Sequence, residues 1–148
     1  MKLLIASDTH HCIGNLYDAI ERERPDAVLH HGDYQSDAED LACVFPSISF
    51  YTVPGNCDHN WTDETDRLLI LGGVRIFMTH GHRYGVKSGY DRLLLAAKQA
   101  GAALALFGHT HCYYQAVRDG ICLLNPGAQQ FVRILAENGS YTCERLSD

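Results

Sequence analysis

Residues 107–112 read FGHTHC and follow directly on the apolar run ALAL at 103–106. A short continuous apolar run that ends at a glycine is typical of a buried strand. The imidazoles of His109 and His111 therefore come where a strand passes into a turn. In open α/β sheets, ligands bind outside the carboxyl ends of the strands. If other strands of this chain end in the same way, these two histidines belong to a shared site.

Four further apolar segments read as strands, and they alternate with helical patterns. The predicted strands are 2–6, 26–30, 47–53 and 74–80, followed by a fifth at 103–107. The predicted helices are 16–24, 38–44 and 89–100. Asn15 is the expected cap of the first helix, and Ser36 or Asp37 is the expected cap of the second. This alternation is typical of an α/β domain.

The last part of the chain has a different pattern. Asp119-Gly120 joins YYQAV to ICLL, and Asn138-Gly139 joins FVRILA to YTCERL. Both dipeptides favour tight β-hairpins, so hairpins replace the alternation after residue 112. The predicted fold class is α/β (α+β in some schemes), with two packed mixed β-sheets flanked by helices. The length of 148 residues suits one domain that spans 1–148.

Composition and charge argue against several classes of protein. The formal net charge is -6 with neutral histidines, which disfavours a broad nucleic-acid or membrane footprint. No apolar run approaches the ~20 residues that span a bilayer. The opening MKLLIASDTHH reads as a first strand and not as a signal peptide. Six cysteines without a C-x-x-C pair favour reduced thiols, so we predict a cytoplasmic protein.

Polar side chains follow each of the five predicted strands. In chain order they are Asp8 and His10, then Asp33, then Asn56, then His80 and His82, and finally His109 and His111. Each short motif is weak by itself, because Gly-Asp and Gly-Asn are also turn signals. Together they bring oxygen and nitrogen ligands to one rim, and burying so many polar groups without partners would be unfavourable. The sequence therefore predicts a metal centre at the strand ends.

The series Asp-x-His, Gly-Asp, Gly-Asn, His-Gly-His and Gly-His-Thr-His resembles the calcineurin-like metallophosphoesterases. More narrowly, it is similar to the small YfcE-like phosphodiesterases. The resemblance implies two divalent metal ions per chain. It implies that the first ion is held by Asp8, His10 and His111, the second by Asn56, His80 and His109, and that both share Asp33. These ligand types suit manganese, iron, nickel or zinc better than magnesium or calcium, and manganese is the expected ion.

The resemblance also implies the chemistry. Seven protein groups cannot fill two coordination spheres, so a bridging water is expected. Metal ions can lower the pKa of water from about 15.7 to about 7, which would make the bridging hydroxide the nucleophile. The expected activity is hydrolysis of a small phosphodiester. No membrane partner and no stable nucleic-acid partner are expected, and homo-oligomerisation stays open.

Residue 57 narrows the expected substrate. Larger relatives carry a histidine after the asparagine, where it protonates the leaving group, but this chain has Cys57, as is typical of the YfcE-like group. A thiol with a pKa of about 8.5 suits general-acid work poorly, which favours diesters with good leaving groups. Asn56, Asp58 and His82 complete the predicted catalytic set, with Asp58 orienting a ligand or a neighbouring histidine. Cys57, His59 and His82 stay open as the general acid.

Two other functions stay open. A non-catalytic binding scaffold of the same fold would carry a degraded metal site, whereas all seven ligand positions are present here. A nuclease acting on long DNA would need a basic stripe or an extra binding domain, and the sequence shows neither. Of the remaining residues, His30 is expected to be buried behind the ligands, and the segment 125–127 is a turn or a loop that closes the site.

Overall fold

The structure is a computed structural model that describes residues 1–10, 13–33, 35–58 and 65–146. The strands in these ranges are β1 Lys2–Ala6, β2 Ala27–His30, β3 Ser49–Thr52, β4 Asp66–Leu71, β5 Val74–Thr79, β6 Leu104–Leu106, β7 Tyr114–Arg118, β8 Ile121–Asn125, β9 Phe131–Glu137 and β10 Ser140–Leu146. The α-helices are α1 Gly14–Glu23, α2 Gln35–Val44 and α3 Asp91–Gln99, and a 3-10 turn covers His82–Tyr84. None of the helices described is long and apolar enough to cross a membrane.

The strands form two mixed sheets of five strands each. The first sheet has the order β10-β9-β1-β2-β3, in which β1, β2 and β3 are parallel. The second has the order β4-β5-β6-β8-β7, in which β5, β6 and β8 are parallel. The pairs β10-β9 and β9-β1 of the first sheet are antiparallel, as are the two outer pairs of the second sheet, β4-β5 and β8-β7. The parallel strands of each sheet therefore end on one side, where loops that carry ligands can meet.

The core lies mainly between the two sheets. Along β1, Leu3 and Ile5 face the second sheet, while Leu4 faces α1 and α2. A strand that is buried on both faces reads as a continuous apolar run, which explains the uniform KLLIA segment. The other side of the second sheet is covered by α3, whose Leu93 and Ala97 are buried. The predicted fold of two packed sheets flanked by helices is confirmed.

Strand β4 is missing from the sequence prediction. It is an edge strand that pairs antiparallel with β5 across Gly72-Gly73, two residues with positive φ. Its side chains alternate in burial, since Leu69 is 9% exposed whereas Ile70 is 62% exposed. The segment DRLLIL is nevertheless apolar at both kinds of position, so the sequence shows no period of two.

Both predicted helix caps are wrong. Helix α1 begins before Asn15, and its N-cap residue Ile13 makes no side-chain capping bond. Helix α2 begins at Gln35, so Ser36 and Asp37 lie inside its first turn. The backbone N–H of Gln35 donates instead to Oδ1 of Asp58, at 2.7 Å. The acceptor comes from a loop 23 residues away in sequence, which local patterns cannot indicate.

The two predicted hairpins are present. Asp119 and Gly120 join β7 to β8 with φ of 52° and 77°. Asn138 and Gly139 join β9 to β10 with φ of 54° and 83°. Two consecutive residues with positive φ give the turn that matches the twist of paired strands, and Asn-Gly and Asp-Gly adopt it readily.

Candidate metal centre

Five of the predicted ligands share an uncommon backbone conformation. They have left-handed φ values of 55° at Asp8, 47° at His10, 49° at Asp33, 71° at His109 and 64° at His111. All five follow the carboxyl end of β1, β2 or β6. Each such residue costs about 1–3 kcal/mol and persists only where its surroundings hold it, a condition met mostly at functional sites.

The ligand atoms of the predicted residues lie in two groups. In the first group, atoms of Asp8, His10, Asp33 and His111 lie within 4.8 Å of one another. The second group consists of Asp33, His80 and His109 under the same limit. Asp33 therefore belongs to both groups. The amide oxygen of Asn56 lies 3.1 Å from Nε2 of His80, which places Asn56 beside the second group.

The carboxylate of Asp8 is fully buried, and its two oxygens differ. Oδ2 accepts hydrogen bonds from the Ser7 hydroxyl at 2.8 Å and from the His109 backbone N–H at 3.1 Å. Oδ1 is buried and accepts none from the described residues. It faces Nε2 of His111 at 3.4 Å and Nε2 of His80 at 3.8 Å. A buried acceptor without a donor costs about 1–3 kcal/mol, so this oxygen suits a cation.

The ring of His80 has one orientation that its neighbours fix. Nδ1 lies 2.7 Å from the carbonyl oxygen of His31, and because a carbonyl only accepts, Nδ1 donates. In the neutral ring Nε2 then presents a lone pair. That lone pair faces Oδ1 of Asn56 at 3.1 Å and Oδ2 of Asp33 at 3.5 Å. Several lone pairs that converge repel one another unless a cation lies among them, so the donor set fits a divalent metal ion.

Burial and neighbouring charges shift several pKa values at the site. Burial opposes ionisation of Asp33, but His80 and the hydrogen bond from the Cys57 backbone N–H outweigh it, so the pKa of Asp33 lies below its usual value. Burial and then His80 lower the pKa of His82 and of His109. These shifts favour an ionised Asp33 and a neutral His109, which are the forms in which these residues bind metals.

Two glycines allow the backbone to approach the carboxylates closely. A Cβ atom at Gly108 would lie 2.1 Å from Oγ of Ser7 and 2.7 Å from Oδ2 of Asp8. A Cβ atom at Gly55 would lie 2.2 Å from Oδ1 of Asp33. In the sequence these glycines read only as turn signals, so their contacts were missed.

Asp58 organises a loop. Its Oδ2 accepts a hydrogen bond from the backbone N–H of Gly55 at 2.8 Å, while Oδ1 accepts from that of Gln35. Gly55 directly precedes Asn56, so this carboxylate ties the Asn56 loop to the start of α2. The hydrogen bonds that the structure gives to Asp58 thus reach the backbone around a predicted ligand.

The candidates for the general acid differ in their surroundings. Cys57 is half-buried, and burial together with Asp33 raises the pKa of its thiol. The ring of His82 lies 5.4 Å from that of His80 and 6.0 Å from that of His109, between centroids. Nδ1 of His82 is buried and has no hydrogen-bond partner in the described part of the chain. His59 lies outside the described residues.

The segment 125–127 supports the turn that carries two histidines. Nδ2 of Asn125 donates to the carbonyl oxygen of Gly108 at 3.2 Å and to the Thr110 hydroxyl at 2.9 Å. Oδ1 of Asn125 accepts from the Gly127 backbone N–H at 2.8 Å. The amide therefore forms a turn of its own and also holds the turn that contains His109.

Comparison with known protein families and sequences gives matches that carry the names of phosphoesterases or phosphodiesterases. The model of the calcineurin-like phosphoesterase superfamily domain matches residues 1–146. The probable metallophosphoesterase YsnB of Bacillus subtilis is 31% identical over 137 residues, which cover 90% of this chain and 78% of that protein. Phosphodiesterase MJ0936 of Methanocaldococcus jannaschii is 28% identical over 149 residues, covering 86% of this chain and 83% of that protein.

Solved structures show the same fold. A crystal structure of a phosphoesterase-like protein from Streptococcus pneumoniae has a TM-score of 0.80 at 23% identity and covers 99% of this chain and 88% of its own. Vps29 from Entamoeba histolytica, crystallised with Zn²⁺, has a TM-score of 0.78 at 20% identity and covers 99% and 98%. The second likeness shows that the fold also occurs outside proteins named as phosphoesterases.

Proposed function

This chain belongs to the calcineurin-like phosphoesterase superfamily, and from that premise we propose that it is a phosphodiesterase that works with two divalent metal ions. Membership of this family supports a metal-dependent phosphoesterase activity for the chain. The observation that carries the finer proposal is Oδ1 of Asp8, a buried oxygen that accepts no hydrogen bond from the described residues and lies within 4.0 Å of three imidazole nitrogens, those of His10, His80 and His111. The presence of Asp33 in both ligand groups supports two ions instead of one.

Each ion has a proposed set of protein ligands. Asp8, His10 and His111 would hold the first ion, Asn56, His80 and His109 the second, and Asp33 both. Manganese is the proposed ion, with iron, nickel or zinc as alternatives. When bound, such ions lower the pKa of water and offset the negative charge of phosphoryl oxygens.

The protein residues supply position and access. Hydrogen bonds from Ser7 and from the His109 backbone hold Asp8, while the His31 carbonyl fixes the ring of His80. The side chains of His10 and His111 are 33% and 48% exposed, so the first group can be reached from solvent. This exposure leaves the first group accessible to the small phosphodiester that we propose as substrate.

The leaving group is the proposed basis of selectivity. The thiol of Cys57 is a weak general acid near neutral pH, which favours esters whose leaving group needs little protonation. His82 lies beside two predicted ligands and is the proposed donor to substrate phosphate. With a net charge of -6, the chain is not expected to hold long nucleic acid. The five free cysteines in the described ranges support the proposed cytoplasmic location.

The test measures metal content and turnover together. Protein stripped with EDTA and reloaded with Mn²⁺ should contain two ions per chain and hydrolyse bis-p-nitrophenyl phosphate. Asp33→Asn and His109→Ala should each lower turnover by more than about 100-fold, since even residues that only orient ligands are worth ~10–100-fold. Glu39→Gln, which removes an exposed acid from α2, is the matched control and should leave turnover unchanged.

Three outcomes would contradict the proposal. A single ion per chain would remove the dinuclear site. Faster hydrolysis of alkyl monoesters than of aryl diesters would reverse the substrate preference. Metal uptake without turnover of any phosphoric ester would favour a binding scaffold, the alternative that the likeness to Vps29 raises.

A further inference from the structure

Three buried polar side chains outside the ligand set are hydrogen bonded in a row. Thr9, His30 and Asp37 are 1%, 0% and 3% exposed. The hydroxyl of Thr9 lies 2.5 Å from Oδ2 of Asp37 and 3.1 Å from Nε2 of His30. Nδ1 of His30 lies 3.2 Å from the backbone nitrogen of Gly32. We call Thr9, His30 and Asp37 the buried triad.

The chemistry of these groups gives every bond in the row one direction. The Gly32 N–H can only donate, so Nδ1 of His30 accepts and the neutral ring carries its proton on Nε2. Nε2 therefore donates to the Thr9 hydroxyl. The hydroxyl has one proton, which it donates to Asp37. A single hydroxyl thus acts as acceptor and donor at once, and no other arrangement satisfies all these atoms.

The row connects the loops that carry both predicted carboxylate ligands. Thr9 lies between Asp8 and His10, and Gly32 directly precedes Asp33. A backbone hydrogen bond from Asp8 to the carbonyl of Gly32, at 2.9 Å, joins the same two loops. The buried triad adds side-chain bonds to this contact and extends it to helix α2, which carries Asp37.

Thr9 is also held through its backbone. Its carbonyl oxygen accepts a hydrogen bond from the side-chain amide of Gln129 at 2.7 Å. Hydroxyl and carbonyl together restrict the peptide units on both sides of Thr9. Those units lead to Asp8 and His10, which have left-handed conformations that need support from their surroundings.

We propose that Thr9 is a positioning residue for metal binding. Through the buried triad, its hydroxyl sets the spacing of the Asp8 and Asp33 carboxylates. This inference rests on the proposed function. Stability alone does not require these polar groups, because replacing both partners of a buried hydrogen bond by apolar groups of the same shape can be nearly neutral. Directed hydrogen bonds add a fixed geometry, which metal ligands require and simple packing does not provide.

The test compares Thr9→Val with Thr9→Ser. Valine keeps the shape of threonine and removes the hydroxyl, whereas serine keeps the hydroxyl. Calorimetric titration of metal-free protein with Mn²⁺, checked by the electron paramagnetic resonance signal of free Mn²⁺, gives affinity and stoichiometry without an activity assay. Thr9→Val should lower the affinity for at least one ion by about 10–100-fold, and Thr9→Ser should stay within about threefold of the wild type. The matched control is Thr142→Val, the same change at an exposed position on β10.

Stability measurements separate positioning from a merely structural role. Circular dichroism establishes that each variant is folded before titration. If Thr9→Val fails to fold, Thr9→Ala against Thr9→Ser makes the same comparison. A Thr9→Val protein that melts at a lower temperature but binds Mn²⁺ as the wild type does would overturn the inference and leave the proposed function standing. A wild-type protein that binds no Mn²⁺ would overturn both.

Discussion

Gly108 lies directly against the carboxylate of Asp8, and we predict that Gly108→Ala weakens metal binding. The added Cβ would lie 2.1 Å from Oγ of Ser7 and 2.7 Å from Oδ2 of Asp8, so both side chains must move. Overpacking of this kind costs about 1–3 kcal/mol. Because the displaced atoms belong to a predicted ligand and its hydrogen-bond donor, Mn²⁺ affinity should fall by at least about tenfold, a loss of ~1.4 kcal/mol in binding. Calorimetric titration with Mn²⁺ measures it.

Gly14→Ala is the matched control for this prediction. A Cβ atom at Gly14, the first residue of α1, would meet nothing within 4 Å. Alanine should leave Mn²⁺ affinity unchanged and should hold or raise stability, since it is favoured over glycine in helices by roughly 0.5–1 kcal/mol. Equal affinities for Gly108→Ala and the wild type would show that the close contact has no role in the site.

Short sequence motifs predict which residues are candidate ligands much better than they predict the hydrogen bonds that hold those residues in place. The short motifs of Asp, Asn and His residues after each strand indicate which side chains gather. The hydrogen bond between Thr9 and Asp37 joins residues 28 apart in sequence, and nothing local to either residue indicates it. Asp37 reads as a helix cap because aspartate is common there, but burial beside Thr9 gives it a different partner.

Strand β4 holds the 3-10 turn that carries His82. Asp66 is the first residue of β4. Its Oδ2 accepts a hydrogen bond from the Tyr84 hydroxyl at 2.5 Å, and its Oδ1 accepts one from the Thr79 hydroxyl at 2.7 Å. Burial, together with the hydrogen bond to Asp66, raises the pKa of Tyr84 to about 12. The phenol therefore stays protonated and donates over the whole physiological range of pH.

We predict that Tyr84 and Asp66 are energetically coupled. Hydrogen bonds to charged groups contribute about 1.5–3 kcal/mol, so Tyr84→Phe and Asp66→Asn should each lower the free energy of unfolding. The double variant should lose less than the sum of the two, with a coupling of roughly 1 kcal/mol or more. Urea unfolding of all four proteins measures the cycle. Strictly additive losses would mean that this bond does not stabilise the turn.

Helices and strands with a clear local sequence signal can be predicted, whereas the edge strand β4 and the first residue of α2 cannot. The central strands and both hairpins follow from apolar runs and from turn dipeptides, whose conformational preferences are local. Strand β4 forms because β5 offers an antiparallel partner across Gly72-Gly73, and its pairing is a tertiary contact. The start of α2 likewise depends on Asp58, which belongs to a different loop. Neither feature was predicted, because each depends on a partner outside the element itself.

The whole molecule brings the site together through topology. Parallel strands β1, β2 and β3 in one sheet, and β5, β6 and β8 in the other, deliver their carboxyl ends to a common side. That rule of α/β architecture is why ligands far apart in the chain could be grouped from the sequence. Strand ends alone do not divide these ligands into two sets that share Asp33, because the packing of the two sheets decides which loops meet. Ahead of coordinates, only the family resemblance implies that division.

We predict that acid destabilises the metal-free protein, because the folded chain buries His30 in its neutral form. Burial lowers the pKa of His30 from 6.5 to about 4, although Asp37, Asp58 and Asp8 act in the opposite direction and His80 adds to the effect of burial. Above pH 6.5 the ring is neutral in both the folded and the unfolded chain. As the pH falls from 6.5 towards about 4, only the unfolded chain gains the proton, so the free energy of unfolding decreases.

The expected loss for His30 alone is on the order of 2 kcal/mol between pH 7.5 and pH 5. Buried His31, whose pKa burial lowers to about 3, acts in the same direction, so wild type must be compared with His30→Gln, which removes one titrating ring. Urea unfolding in EDTA at the two pH values should show a smaller loss for the variant, whatever its stability at pH 7.5. Equal losses in the two proteins would mean that His30 takes up its proton in the folded state, which is incompatible with a ring that accepts from Gly32 and donates to Thr9.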